Sequence, residues 1–320
     1  MELEQKQQVT DAINQWVDDK NPARSASKLS EKSGVNAAYI SRIKNGEYEM
    51  QSGGGRITVI NDSHFFKLAE AVGLKFDDEY KWDFLNSYKL GYRVMRKAQR
   101  KQLRAIIDGD TGQGKTFISK WYNRENDYVL FLECTRNMTG KAMINSLCDK
   151  LGIELPVRTT PFERLELIKK VITNRRGYLI VFDQVGKNEV KPSIYSVLMD
   201  IAVAVEGKAG MVISGYKVTD MLTHQYNRHV PGMRQLARRF MSNTYELPQL
   251  TTNEIQLVCE AEGITNKGAI TVLQKHVRDL DMLSQYVRDI IEYQQKEGKK
   301  ITGEEVISLF GIKYTTLKAA

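Results

Sequence analysis

The stretch Ala105-Ile106-Ile107-Asp108-Gly109-Asp110-Thr111-Gly112-Gln113-Gly114-Lys115-Thr116 passes from a short apolar strand into a glycine-rich turn, and Phe117-Ile118-Ser119-Lys120-Trp121-Tyr122 carries on as a helix. The turn has the spacing GxxxxGK[ST] in the strand-to-helix setting that gives this motif its meaning. Backbone N–H groups of Gly109, Asp110, Thr111, Gly112, Gln113 and Gly114 can wrap a phosphate at the helix N-terminus, where the helix dipole favours negative charge. Lys115 then neutralises β- and γ-phosphate oxygens, and the Thr116 hydroxyl is a ligand for Mg²⁺. The expected cofactors are ATP and Mg²⁺.

A phosphate loop of this type needs a second strand that brings an acid to the metal. Tyr178-Leu179-Ile180-Val181-Phe182-Asp183 supplies one, with Asp183 as the expected second Mg²⁺ ligand. Its unbroken apolar run is what a strand covered on both faces of a parallel sheet looks like. Further strands are expected at 128–132 and 210–215, and helices at 140–151, 161–173 and 193–205. This alternation predicts an α/β core with a doubly wound parallel sheet over 105–247, followed by a helical lid and tail over 248–320.

Residues 1–80 read as a separate all-α domain. Val9, Ile13, Trp16 and Val17 recur at helical spacing, a second short helix fits 25–33, and Gly34 can take the left-handed conformation that ends it. Asn36 is placed as the N-cap of a helix over 37–44, stopped by Asn45-Gly46. This stretch resembles the helix-turn-helix of the Cro and C1 repressor type. The resemblance implies a recognition helix whose outward residues Asn36, Ala38, Ser41, Arg42 and Lys44 contact DNA. A helical protein-interaction module without DNA contact is the other reading. Gln51-Ser52-Gly53-Gly54-Gly55 is expected to be a flexible insertion, with Phe65 to Leu74 as a closing helix.

Between the two domains, 81–104 is expected to be a basic linker helix. Arg93, Arg96, Lys97, Arg100, Lys101 and Arg104 are concentrated there, and Arg93, Lys97, Arg100 and Arg104 fall on one face at helical spacing. That stripe suits a phosphate backbone, although a solvated helix face has the same composition. Lys187 and Lys191, just after Asp183, are further candidates for DNA contact or plain surface lysines.

The 320 residues carry 47 Lys+Arg against 39 Asp+Glu, a net charge of +8, which points toward an acidic partner such as double-stranded DNA without establishing one. With 42% hydrophobic residues the chain can build a core, and no apolar run approaches the roughly 18 residues of a membrane span. The acidic, polar start Met1-Glu2-Leu3-Glu4-Gln5 is unlike a signal peptide, so the expected location is the cytoplasm. Cys134, Cys148 and Cys259 are far apart and show no metal-ligand spacing, which disfavours a disulfide framework and a zinc site.

The order of helix-turn-helix, phosphate loop, acid-ended strand, Gly210-Met211-Val212-Ile213-Ser214-Gly215, Leu236-Ala237-Arg238-Arg239-Phe240 and a helical C-terminus resembles the AAA+ ATPases of DNA transposition, of the phage Mu B protein type with TnsC and IstB as relatives. The resemblance implies an ATPase that forms filaments of itself on double-stranded DNA, selects target DNA and activates a transposase. It implies that Arg239, with Arg238 as the adjacent alternative, is an arginine finger reaching the γ-phosphate held by a neighbouring copy. A transcriptional regulator switched by ATP, or a helicase loader, are the competing functions.

Three positions depart from the family pattern. Gln184 follows Asp183 where the family has a glutamate, Tyr216 stands where the sensor strand delivers a polar residue, and Asp281 stands where the lid helix carries an arginine. A neutral amide orients the attacking water less well than a carboxylate, so hydrolysis is expected to be slow. A slow natural ATPase and a substitution that traps the ATP state both fit Gln184.

Overall fold

The computed structural model describes residues 3–17, 24–52, 56–74, 82–156, 158–175, 177–186, 189–191, 193–229 and 233–312. Five parallel strands form the central sheet: β3 (Arg104–Asp108), β4 (Val129–Glu133), β5 (Tyr178–Asp183), β6 (Ala209–Gly215) and β7 (Thr244–Glu246), in the spatial order β4-β5-β6-β3-β7. Successive residues of a strand point to opposite faces, and the sheet uses that period to feed two cores. Ile106, Ile180, Phe182, Met211 and Ile213 enter one core, with α7 (Gly140–Lys150), α8 (Pro161–Thr173), α9 (Ser193–Ala204), α10 (Val218–Asn227) and α11 (Met233–Phe240). Ala105, Ile107, Leu179, Val181 and Val212 enter the other, with α5 (Asn86–Lys101), α6 (Lys115–Glu125) and the C-terminal helices. The doubly wound parallel sheet expected from the alternation is therefore present, with β7 as an additional edge strand of three residues.

The C-terminal helices are α12 (Thr252–Ala261), α13 (Lys267–His276), α14 (Leu280–Glu297) and α15 (Gly303–Leu309). Their apolar faces are continuous with the second core rather than forming a separate one. Glu254 ties them to the body: its carboxylate closes a capping box with Thr251 on α12 and also accepts the Asn86 backbone N–H at 2.8 Å, capping α5, which has no side-chain cap of its own. With one buried carboxylate serving two helix N-termini, Glu254→Ala is expected to lower stability by about 1–2 kcal/mol, read as a lower denaturant midpoint at unchanged slope.

Helix α5 corrects the expected linker. Tyr88, Val94, Met95 and Ala98 are buried in the same core as Ile107 and Val181, so the helix is packed onto the sheet. Helical spacing does not extend to Arg104 either. The helix ends at Lys101, Gln102 turns the chain at φ 53°, and Arg104 starts β3 with its guanidinium buried, donating to Ala202 O at 2.7 Å and Gln102 O at 3.0 Å. Arg104 is thus a structural cation and is withdrawn from the candidate DNA contacts.

In the N-terminal part, α1 (Leu3–Trp16), α2 (Ala26–Ser33), α3 (Ala37–Lys44) and α4 (Asp62–Val72) bury Val9, Ile13, Leu29, Val35, Ile40, Ile43, Phe65 and Leu68 around one core. Gly34 has φ 68° and its N–H returns to Ser30 O, which closes α2. The expected insertion is partly a hairpin: β1 (Glu49–Ser52) pairs antiparallel with β2 (Arg56–Val59), and 53–55 lie outside the described residues. The alternation Arg56-Ile57-Thr58-Val59 is too short to announce it beside the run of three glycines.

Helix α4 packs on α6. Ser63 Oγ donates to Asp127 Oδ1 at 2.7 Å, Lys67 Nζ is 3.6 Å from the same oxygen, and the Arg124 guanidinium lies 4.6 Å from the centre of the Phe66 ring. Among the described residues no helix is long and apolar enough to cross a membrane.

Candidate nucleotide site

The parallel register brings the carboxyl ends of β3, β5 and β6 together, the place where open α/β sheets hold their ligands. Asp108 pairs with Gly215, and Asp183 follows Phe182, which pairs with Ile213. The loop 109–114 leaves β3 and enters α6 at Lys115, with Gly114 as N-cap. Asp108 roots the loop: its carboxylate accepts from Gly109 N at 2.9 Å, Val218 N at 3.1 Å and Thr219 N at 2.9 Å, so the start of α10 is pinned to the base of the cradle.

Lys115 Nζ donates to Gly109 O at 2.8 Å and Asp110 O at 2.5 Å. Partial burial pushes the ammonium down, against the pull of Glu189, Asp183, Asp108 and Asp110. Thr116 Oγ1 donates to Asp183 Oδ2 at 2.5 Å, which places the two expected metal ligands of α6 and β5 side by side. Asp183 is 1% exposed, and burial pushes its carboxyl up despite the Thr116 hydrogen bond. A hydroxyl and a carboxylate are hard oxygen donors that fit Mg²⁺, which completes its shell with phosphate oxygens and water. Among the described residues no group of three or more His, Cys, Asp or Glu side chains could hold a metal by itself.

Beside Gly114 lies a largely apolar cavity lined by Trp82, Leu85, Tyr88, Phe117, Leu280 and Asp281. Its aromatic walls suit a planar base next to the phosphate cradle. The lid reaches this point directly: Leu280 N donates to Gly112 O at 2.9 Å, and Asp279 N-caps α14 through Met282 N. Asp281 is in the first turn of α14, where burial and Asp279 push its carboxyl up. Arg278 instead lines a second crevice with Asp110, Thr111 and Asp279. An arginine does face the phosphate loop from the lid, three residues ahead of the position expected for it.

Gln184 is turned sideways. It adopts φ 59°, and its Nε2 donates to Glu133 Oε1 at 2.8 Å at the end of β4, where Glu133 also lies 3.6 Å from Lys120. Glu189, which no spacing in the sequence singles out, folds back between β5 and β6: its Oε2 accepts from Gly186 N and, at 3.3 Å, from Tyr216 N. Trp82, Tyr88, Phe117, Glu133, Glu189 and Arg278 were all illegible as site residues, because each is brought in by tertiary packing rather than by a motif.

Arg238 and Arg239 are on α11, away from this chain's own phosphate loop. Arg239 forms an ion pair with Glu206, whose carboxylate also acts on buried Arg104 at the start of β3, the opposite end of the sheet. Arg238 is exposed and borders a groove between α10 and α11 with Tyr226, Arg234 and Met241.

Of the basic candidates, Arg93, Arg96, Lys97, Arg100 and Lys101 are exposed along α5, with Lys97 Nζ donating to the Tyr245 hydroxyl at 2.9 Å. Lys191 is exposed, and Lys187 lies outside the described residues. On α3, Ala38 and Ser41 are exposed and Arg42 and Lys44 half-buried, with Arg42 Nη1 3.4 Å from Glu47. Asn36 is exposed, but its Oδ1 accepts from Ala38 N at 2.9 Å as the N-cap, as its position in the sequence predicts. Cys134, Cys148 and Cys259 are buried free thiols.

No protein-family model matches the chain, and no curated protein matches it by sequence. Solved structures do. The Orc1 protein of Aeropyrum pernix, solved in complex with DNA, aligns with a TM-score of 0.51 at 16% identity over 73% of this chain and 66% of that one. Cdc6p from Pyrobaculum aerophilum aligns with a TM-score of 0.51 at 17% identity over 72% of this chain and 70% of that one. The chain thus spans just under two thirds of the first of these proteins. At such identities the likeness concerns the fold, and the fold is that of an AAA+ α/β P-loop core.

Proposed function

We propose that this chain is an ATP-binding and ATP-hydrolysing AAA+ protein that assembles as a homo-oligomer or filament on double-stranded DNA and so presents target DNA to a transposase. The observation that carries the nucleotide reading is the loop 109–116 joined to β5 by the 2.5 Å contact between Thr116 Oγ1 and Asp183 Oδ2. ATP would lie with its phosphates on 109–116 and its base against Trp82, Tyr88 and Phe117. Thr116 and Asp183 would hold Mg²⁺, which screens the phosphate charge. The DNA reading is supported by the exposed basic residues of α5 and by the outward face of α3. The transposition reading rests on the order of parts along the sequence.

Arg238 and Arg239 face away from their own cradle, which suits a role toward a neighbouring copy. Arg239 would have to leave Glu206 to fulfil it, whereas Arg238 stands exposed. The double variant Arg238→Ala/Arg239→Ala is expected to bind ATP normally and to lose the large ATP-dependent assemblies seen by light scattering with DNA. Undiminished assemblies would remove the shared site.

An ATP-switched transcriptional regulator would use the same parts with α3 reading a defined sequence. Negative-stain microscopy with ATP and random-sequence DNA separates the two: continuous coats support the filament, and bare DNA together with a discrete footprint on a selected sequence supports the regulator. DNA affinity of the assembled protein is expected to fall steeply with salt, with a log–log slope of roughly −0.9 for each phosphate neutralised. A slope near zero would exclude the exposed cations of α5 as the contact.

A further inference from the structure

We propose that Glu189 is the catalytic carboxylate of this site, holding the water that attacks the γ-phosphate in place of the residue after Asp183. The proposal rests on the reading of the site as an ATPase.

The position after Asp183 is unsuited to the task twice over. Gln184 carries no charge, and its amide is engaged with Glu133 at 2.8 Å. Glu189 returns a carboxylate to the neighbouring crevice between the ends of β5 and β6. Its Oε2 is held by the backbone N–H groups of Gly186 and Tyr216, one from each strand end. Lys115 favours its charge and Asp183 opposes it, so the carboxylate lies within electrostatic reach of the phosphate loop.

Two missing side chains let the strand ends approach each other and leave room for this carboxylate. A Cβ on Gly186 would meet the Tyr216 backbone first, O at 2.1 Å and N at 2.4 Å, and Glu189 Oε2 at 2.5 Å, and one on Gly215 would stand 2.6 Å from the same oxygen and 2.5 Å from Gly186 N. Two glycines facing one another across the strand ends make a slot that the acid fills. A pair of backbone donors on one oxygen also fixes the carboxylate's orientation, as a group that must place a water requires.

In the proposed step the water oxygen bonds to the γ-phosphorus while the bond from that phosphorus to the β–γ bridging oxygen breaks. The electron pair leaves with ADP, and a water proton passes to the Glu189 carboxylate, which releases it to solvent or to the departing phosphate.

Glu189 also bridges two strand ends, and the test separates that duty from catalysis. Glu189→Gln keeps an oxygen that can accept both backbone N–H groups but removes the charge. It is expected to melt within about 2 °C of the unaltered protein and to bind ATP within about twofold by calorimetry. Turnover on DNA should fall by about 10²–10³-fold, within the range for loss of a general base. It should also fail to retain ADP with aluminium fluoride, a mimic of the phosphoryl group in flight, while retaining ADP alone. Glu189→Asp, which keeps the charge but withdraws it by one methylene, should lose at least tenfold in rate. Turnover of the Gln variant within threefold of the unaltered protein would overturn the proposal, as would equal retention of the fluoride complex. A collapse of its melting temperature would assign Glu189 to strand bridging and overturn it too. So would an unaltered protein that binds ATP but never hydrolyses it on DNA. Absence of ATP binding by the unaltered protein would instead bring down the nucleotide reading on which the proposal stands.

Discussion

Lys115→Ala protein is expected to bind ATP at least about 100-fold more weakly than the unaltered chain, a loss of about 2.7 kcal/mol. Lys115 is the cation of the loop itself, and its Nζ is already held at the mouth of the cradle by Gly109 O and Asp110 O. Its removal leaves Asp108, Asp110, Asp183 and Glu189, the carboxylates that act on Lys115, facing the incoming phosphates without the loop's cation. The fold should be little affected, because the hydrogen bonds of the side chain go to carbonyls of the loop itself. The clearest measurement is thermal: ATP at 100 times its dissociation constant stabilises the unaltered protein by about 2.7 kcal/mol, and that rise in melting temperature should vanish in the variant. An undiminished rise would place the nucleotide elsewhere.

Asp183→Asn should separate stability from metal binding. Burial pushes the Asp183 carboxyl up, so the ionised form is disfavoured in the folded chain. A folded-state pKa above the unfolded value means that this group supports the fold below the unfolded pKa and loses that support as pH rises through the folded one. At neutral pH without metal, the neutral amide is therefore expected to melt at the same temperature as the unaltered protein or slightly above it. In Mg²⁺ and ATP the order reverses, since the amide cannot offer the charge that Mg²⁺ requires, and hydrolysis should fall by about 10²–10³-fold, the scale at which lost electrostatic stabilisation of a transition state is felt. Adding EDTA to the unaltered protein should abolish the same Mg²⁺-dependent stabilisation. A variant that retained both turnover and the Mg²⁺-dependent rise would remove Asp183 from the metal site.

The central sheet was legible because strands such as Tyr178–Asp183 are apolar up to their last residue, and the phosphate loop because its chemistry demands a fixed spacing. The lid contacts were not legible, since Leu280 meets Gly112 through the packing of the C-terminal helices and not through any local spacing. Arg104 misled for a physical reason: a charge count cannot distinguish a cation on a helix face from one buried against the Ala202 carbonyl. The same limit hid Glu189. Its partners are backbone groups of 186 and 216, which have no side-chain signature in a single sequence. The hairpin of β1 and β2 and the three residues of β7 lack an apolar period long enough to read.

Helix α6 holds the phosphate cradle at its first residue, and the N-terminal domain bears on it near its last through Arg124, with Asp127 just beyond. At 1.5 Å per residue its 11 residues make a rod about 16 Å long. A rod of that length acts as a lever: a tilt of about 5° at the loop displaces the far end by about 1.4 Å. That is half the length of the Ser63–Asp127 hydrogen bond at that end, enough to break or re-seat it. One helix is thus a part common to both halves: it begins at the glycine-rich loop and ends where Phe66 of α4 lies against Arg124, with Ser63 and Lys67 meeting Asp127 just past its end.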